Sequence, residues 1–165
     1  MTQLNKRIIV DTREKPHAIQ SILNYFEANG YEYEKKKLDY GDYMNPERPE
    51  IVIDRKQTIA ELAKNCTFES GRFRREIDRA KNDGAHIIIL VEQNRYMDRG
   101  EWIRVDKLVD IYLWTSPYTQ VRGEKVYRIL SDWVRKLPIS VVFCDKRSTG
   151  RIITELLFEV KDNDE

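Results

Sequence analysis

Strands and helices alternate along this 165-residue chain, which predicts an α/β protein: a three-layer α/β/α sandwich around a central mixed β-sheet. Three observations carry that expectation. Short apolar, largely β-branched runs lie within residues 6–14, 51–56, 86–92 and 139–144, each of buried-strand length. Apolar residues at i, i+3, i+4 and i+7 spacing fill several of the stretches between them. Glycine and proline mark the boundaries.

The first run ends in Asp11-Thr12-Arg13-Glu14, with acids at the carboxyl end of a strand, where an α/β sheet presents residues to ligands. Ile19, Ile22, Leu23 and Phe26 then trace one helical face, with Pro16 near its start and Gly30 past its end. Residues 31–38 alternate aromatic and charged side chains and read as a strand feeding Gly41-Asp42. Pro46 and Pro49 cannot donate to a ladder and mark a turn, so the segment ending at Tyr43 folds back beside strand 51–56. Residues 57–66 and 69–82 read as two helices, and 86–92 as a buried strand. Residues 94–120 are the least regular stretch and follow a strand, where binding loops commonly sit. Val126, Ile129, Leu130, Trp133, Val134 and Leu137 form a helical stripe; 139–144 is a strand and 151–160 a final helix. Residues 1–160 are expected to form one domain, and 161–165 an acidic frayed tail.

Candidate chemistry concentrates between Gly41 and Lys56. In an extended 51–56 segment Asp54 and Lys56 project from one face, and Ile51, Ile53 and Arg55 from the other. The turn brings Asp42 towards Asp54. Two close carboxylates repel each other unless a cation or a proton intervenes. Oxygen donors with no histidine or cysteine nearby suit Mg²⁺, with Mn²⁺ able to substitute, better than zinc. An ammonium beside them is suited to neutralising charge that develops as a phosphodiester is cleaved, or to positioning the attacking water. Taken alone, an acid followed by Arg-Lys at the end of a strand is more simply a solvated strand terminus. It has company: Asp11 is a third candidate carboxylate, and Arg72, Arg75 and Arg79 recur at helical spacing that can face phosphates. Glu76, on that same helix, could steady a metal-bound water, although an ion pair with Arg72 or Arg79 is the simpler account.

The ordered set Asp11-Thr12-Arg13-Glu14, Gly41-Asp42-Tyr43, Asp54-Arg55-Lys56, Gly71-Arg72-Phe73 and the strand 87–92 resembles the nuclease domain of the XPF-type structure-specific endonucleases, within the PD-(D/E)xK superfamily, over most of the chain. The resemblance implies a restriction-endonuclease-like fold and an acidic metal cluster of Asp11, Asp42 and Asp54, with the Arg55 carbonyl as a further ligand and Lys56 as the catalytic lysine. It implies that Arg72 helps with DNA; Arg13, Arg55, Arg75 and Arg79 are further candidate contacts. Glu61 stands roughly where the family has a later acid, and Glu14, Glu61 and Glu76 are accessory candidates. Asp54 replaces the family's glutamate, one methylene shorter, and Glu61 sits one residue later than the family's acid.

The activity so implied is that of a divalent-metal-dependent DNA endonuclease acting on branched or discontinuous DNA, such as flaps, forks or Holliday junctions, in recombination or repair. A homodimer is an expected state, since relatives often pair through this domain. Some relatives are inactive partners, so a non-catalytic DNA-binding or subunit-interaction module is the alternative, as is a nuclease without branch specificity. Inactive partners are expected to have lost acids or the lysine, and Asp11, Asp42, Asp54 and Lys56 are all present. Nothing resembles the family's helicase-like region or tandem helix-hairpin-helix domain, which suits a small bacterial or bacteriophage enzyme.

Composition narrows the partners. With 29 basic and 28 acidic residues the net charge is +1, which excludes a generally sticky polycation. DNA contact must come from segregated basic patches around a negative metal site. Cys66 and Cys144 are expected to be free, buried thiols, too few for a zinc site. His17 and His86 lack ligand-spaced partners. Tyr112, Trp114 and Tyr118, near Arg122 and Lys125, offer a stacking platform for unpaired bases, although packing under a loop is the simpler reading. No apolar stretch approaches membrane-spanning length, and a cytoplasmic location is expected.

Overall fold

The computed structural model describes residues 5–159. The expected acidic tail, and Val160 at the end of the predicted last helix, lie outside that range. The elements in chain order are β1 (Arg7–Val10), α1 (Gln20–Ala28), β2 (Glu32–Lys35), β3 (Tyr43–Met44), β4 (Ile51–Lys56), α2 (Ile59–Cys66), α3 (Ser70–Asn82), β5 (His86–Val91), β6 (Arg95–Asp98), β7 (Glu101–Arg104), α4 (Gly123–Lys136), β8 (Ile139–Phe143) and α5 (Thr149–Phe158).

Six strands form one sheet in the order β2-β1-β3-β4-β5-β8. β1 and β2 are parallel, as are β4, β5 and β8, while β3 runs antiparallel to both β1 and β4. The sheet is therefore mixed, as the sequence predicts, and helices cover both faces. α1 and α5 pack over Ile8, Val10, Tyr43, Ile53 and Leu90. α2, α3 and α4 pack on the other side over Ile87, Ile89 and Val91. Strand β5 is covered on both sides, which is why its sequence is a continuous apolar run rather than an alternation.

Local chemistry explains most boundaries. The α1 stripe buries Ile22, Leu23 and Phe26, and the chain leaves the helix through Gly30 at φ +76°. Thr58 caps α2 by accepting from the Glu61 N–H at 3.1 Å, and the Glu61 carboxylate accepts from the Gln57 N–H at 2.9 Å. The predicted strand 31–38 shortens to Glu32–Lys35 at the sheet edge, because Leu38 turns its N–H to the Asp11 carboxylate instead of a ladder. Helix α4 begins at Gly123, three residues before the predicted stripe. A Cβ there would lie 1.7 Å from the Ile111 carbonyl oxygen, so only glycine fits.

Residues 94–120 hold more order than the sequence suggests. β6 and β7 form a separate hairpin, turned by Arg99 and Gly100 at φ 50° and 81°. Trp114 is buried in the α2/α3/α4 core and Tyr112 meets the Tyr127 ring edge-on at 5.8 Å, so packing is what is found for these two, whereas Tyr118 is exposed. Cys66 and Cys144 are free and buried, and burial pushes their thiols up to about 12 and about 11. Among the described residues no helix is long and apolar enough to cross a membrane.

Candidate active site

The sheet ladder aligns three acids. The Asp11 N–H donates to the Asp42 carbonyl at 2.8 Å, and the Asp42 N–H to the Ile53 carbonyl at 2.7 Å. Extending the registers Val10↔Tyr43 and Tyr43↔Ile53 by one residue sets Asp11, Asp42 and Asp54 side by side on adjacent strands. Their neighbours Val10, Tyr43 and Ile53 enter the α1/α5 core, so the pleat directs the acids to the opposite face, towards α2 and α3. A cleft of about 390 Å³ lies on that face, lined in part by Ile9, Met44 and Val52 and by Arg7, Lys36 and Lys37.

Helix α3 adds a fourth acid. Glu76 Oε1 accepts the Gly41 N–H at 2.8 Å. Gly41 sits at φ +74°, and a Cβ there would meet Val52 Cγ1 at 2.1 Å, so only glycine lets this turn close against β4. The reading of Glu76 as a helical ion-pair partner of Arg72 or Arg79 gives way to a bond across to the acidic turn.

Lys56 anchors the cluster. Its Nζ hydrogen-bonds Asp54 Oδ1 at 3.2 Å and Asn65 Oδ1 at 3.3 Å, and lies 5.1 Å from the Phe73 ring centroid. Asp54 Oδ2 is 3.0 Å from the same ammonium, yet it is buried without a hydrogen bond of proper geometry. Burial, then the charges of Asp54 and Glu14, holds the Asp42 carboxyl well above the ordinary carboxylate range, against the pull of the Arg55 N–H and Lys56. Burial and the Asp54 charge raise Glu76 as well. Burial pulls the Lys56 ammonium down, but Asp54, Asp42 and Glu61 together outweigh it, so its proton is held more tightly than usual.

The remaining sequence-predicted residues divide clearly. Asp11 is fully buried, and both of its oxygens are taken: Oδ1 by the Leu38 N–H at 2.8 Å and Oδ2 by Arg13 Nε at 2.6 Å. Its backbone stands in the acidic row while its carboxylate is committed elsewhere. Among the described residues no three Asp, Glu, His or Cys side chains stand preassembled around a metal position.

The Arg55 side chain is not available to DNA, contrary to expectation. It points to the opposite face, where Nε bonds Glu14 at 2.7 Å and Nη1 bonds Glu92 at 2.5 Å, leaving the residue 7% exposed. The pleat that places Asp54 and Lys56 on one side requires this. The Arg55 backbone N–H nevertheless serves the site, donating to Asp42 Oδ2 at 2.7 Å. Glu14 belongs to the same rear network, accepting from the Tyr43 hydroxyl at 2.8 Å, rather than to a cation cluster. Glu61 is a helix-capping residue, its carboxylate spent on the Gln57 N–H.

Arg72, Arg75 and Arg79 are exposed and share with Glu76 one face of α3, at i, i+3, i+7 and i+4. Arg79 Nε also donates to the Asp39 carbonyl at 3.0 Å. Arg13 stands exposed beside Asp11, its proton held more tightly by the hydrogen bond to that carboxylate, with Glu76 and Asp42 contributing. Basic groups therefore rim a negative centre, as the near-zero net charge requires. Asn65, Glu92 and Thr149 were not legible as site residues. Thr149 Oγ1 donates to Glu92 at 2.6 Å, closing the network behind Arg55. The available signal for Glu92 was an acid ending a wholly apolar strand run.

Asp42, Asp54 and Glu76 offer oxygen only. Two of them bind protons unusually tightly, and one oxygen of the third is buried without a hydrogen bond. A hard divalent cation fits such a set, since Mg²⁺ takes one or two protein carboxylates and keeps several waters.

A family model, the ERCC4 domain, matches residues 10–156. The structure is similar to that of XPF from Aeropyrum pernix, with a TM-score of 0.63 and 22% identity over 91% of this chain and 62% of that one. It is similar also to XPF from Aeropyrum pernix in complex with DNA, with a TM-score of 0.64 and 22% identity over 97% of this chain and 70% of that one. The chain thus spans under two thirds of the first of these longer proteins. At such identity the likeness establishes the α/β fold. No curated protein matches the sequence.

Proposed function

Because the chain belongs to the ERCC4 domain family, we propose that it is a divalent-metal-dependent endonuclease that hydrolyses phosphodiester bonds in branched or discontinuous DNA, working in the cytoplasm on recombination or repair intermediates. The observation that carries the reading is the buried Lys56 ammonium, 3.0 Å from Asp54 and grouped with Asp42 and Glu76. DNA as the ligand is supported by the family and by the DNA complex of the Aeropyrum pernix protein.

When bound, Mg²⁺, or Mn²⁺ in its place, supplies Lewis-acid polarisation of the scissile phosphate and a water of lowered pKa. Asp42 and Asp54 would hold it, with the Arg55 carbonyl as a further candidate oxygen. The Arg55 N–H fixes the Asp42 rotamer. Lys56 donates to the phosphate oxygen on which charge develops, and Asn65 and Asp54 keep its ammonium aimed. Glu76, whose Oε1 already accepts the Gly41 N–H, would orient the attacking water. Arg13, Arg72, Arg75 and Arg79 take flanking phosphates, and Asp11 completes the acidic row when Arg13 transfers its hydrogen bond to DNA. A second copy of the chain adds contact area, and exposed Phe68 and Tyr118, which line one cleft, offer an apolar patch for it.

The test is cleavage of labelled flap, fork, four-way-junction, blunt-duplex and single-stranded DNA with Mg²⁺, Mn²⁺ or chelator. Branched substrates are expected to be cut only with metal, and Asp42→Asn to bind without cutting. Binding without cutting by the unaltered chain in either metal would favour the module, and equal cutting of blunt duplex would remove branch choice. Arg72→Ala is expected to weaken binding and to reduce the slope of log affinity against log salt by about one. An unchanged slope would take Arg72 off the phosphate path.

A further inference from the structure

The β6–β7 hairpin carries a group of residues that the acidic site does not use. Trp102 is 57% exposed, and the Arg95 guanidinium lies 4.2 Å from its ring centroid. The other two tryptophans, Trp114 and Trp133, are buried at 4% and 8% exposure. Trp102, Asn94, Arg95, Arg104, Asp145 and Arg147 line one cleft of about 300 Å³. Three arginines against one aspartate is a local excess in a chain of net charge +1. Arg104 and Arg147 are held only by exposed pairs two residues away, Asp106 at 2.8 Å and Asp145 at 3.1 Å. Such pairs are weak and exchange readily for another anion.

The hairpin is tied to the catalytic strand. The Glu92 N–H donates to the Lys56 carbonyl at 2.8 Å, and Gln93 bridges the Ile59 N–H and the Arg95 carbonyl, each at 2.9 Å. Two residues separate Glu92 from Arg95, so the start of the hairpin lies at most about 10 Å of extended chain beyond Glu92.

We propose that this cleft is a second DNA subsite that stacks one unpaired base on Trp102 and holds its phosphate among Arg95, Arg104 and Arg147, so that the chain senses the single-stranded arm of its substrate. The proposal rests on the DNA-directed reading above. An exposed indole accepts any base, because every base has a π-face, but only an unpaired base has that face free. Arg95 orients the ring and supplies charge beside it.

Tryptophan emission tests this in the full chain, in EDTA so that no strand is cut. The probes are oligo(dT) of twelve nucleotides, a flap DNA and a blunt duplex, with anisotropy of the labelled DNA recorded in parallel. Oligo(dT) and the flap are expected to quench emission and the blunt duplex to leave it unchanged. Trp102→Leu, an exposed position whose folding is verified by melting, is expected to lose the quench and bind oligo(dT) about tenfold more weakly. DNA that binds by anisotropy without quenching, or a blunt duplex that quenches equally, overturns the subsite while leaving the endonuclease reading intact. Quenching by a chain that never cuts has the opposite outcome.

Discussion

Replacing Lys56 with alanine is expected to lower turnover roughly 10²- to 10³-fold, the range seen when one preorganised transition-state donor is removed. The ammonium is nine-tenths buried beside Asp54, with Asn65 as its second hydrogen-bond partner, so it is already positioned before substrate arrives. Preorganisation of this kind is lost entirely with the side chain. Single-turnover cleavage in Mg²⁺ and in Mn²⁺ measures it; a rate within threefold of the parent would take Lys56 out of the chemistry. The same substitution strips the counter-charge from a buried carboxylate. Without metal, Lys56→Ala is therefore expected to lose about 3–5 kcal/mol of stability in urea titrations. Divalent ions should restore much of that stability while leaving the rate low, since they replace a charge but not a donor at the phosphate.

The second large effect belongs to the rear of the site. Arg55→Ala is expected to destabilise the protein by about 3–5 kcal/mol, because Glu14 and Glu92 remain buried with no cation between them. Urea midpoints measure the loss. Converting Glu14, Arg55 and Glu92 together to methionine should recover most of it, since apolar replacement of a whole buried ion group is commonly neutral or stabilising. A triple variant as unstable as Arg55→Ala would show that the network contributes net stability of its own. Activity is expected to fall in both, because the Arg55 backbone N–H that orients Asp42 is set by the side chain anchored behind it.

What the sequence revealed followed from periodicity. The two-residue period of a strand places Asp54 and Lys56 together and sends Arg55 away, and the apolar runs identify every long strand of the sheet. In the sequence Arg55 nevertheless reads as a candidate DNA contact, since charged residues at strand ends are usually solvated; only the fold reveals Glu14 and Glu92, 41 and 37 residues away. Glu76 looked like a local ion-pair partner, since spacing within a helix is visible while the distance from α3 to Gly41 is not. Glu61 illustrates the opposite error: Thr58-Ile59-Ala60-Glu61 is a capping pattern, and the cap consumed the carboxylate. Strand β3 is two residues long and β7 four residues, mostly exposed, too short and too exposed for any hydrophobic period to register.

That brevity of β3 has a mechanical consequence. Among the described residues the β2–β1 pair and the β4–β5–β8 trio meet in the sheet through Tyr43 and Met44, two register pairs on each side, and through the flanking backbone bonds of Asp42, against six register pairs between β4 and β5. The sheet is thus two stiff rafts joined along a narrow seam, and the acidic row crosses it. Whatever draws Asp42 and Asp54 together tightens the seam, so rigidity of the scaffold and readiness of the site become a single degree of freedom, reported by the amide exchange of Tyr43 and Met44.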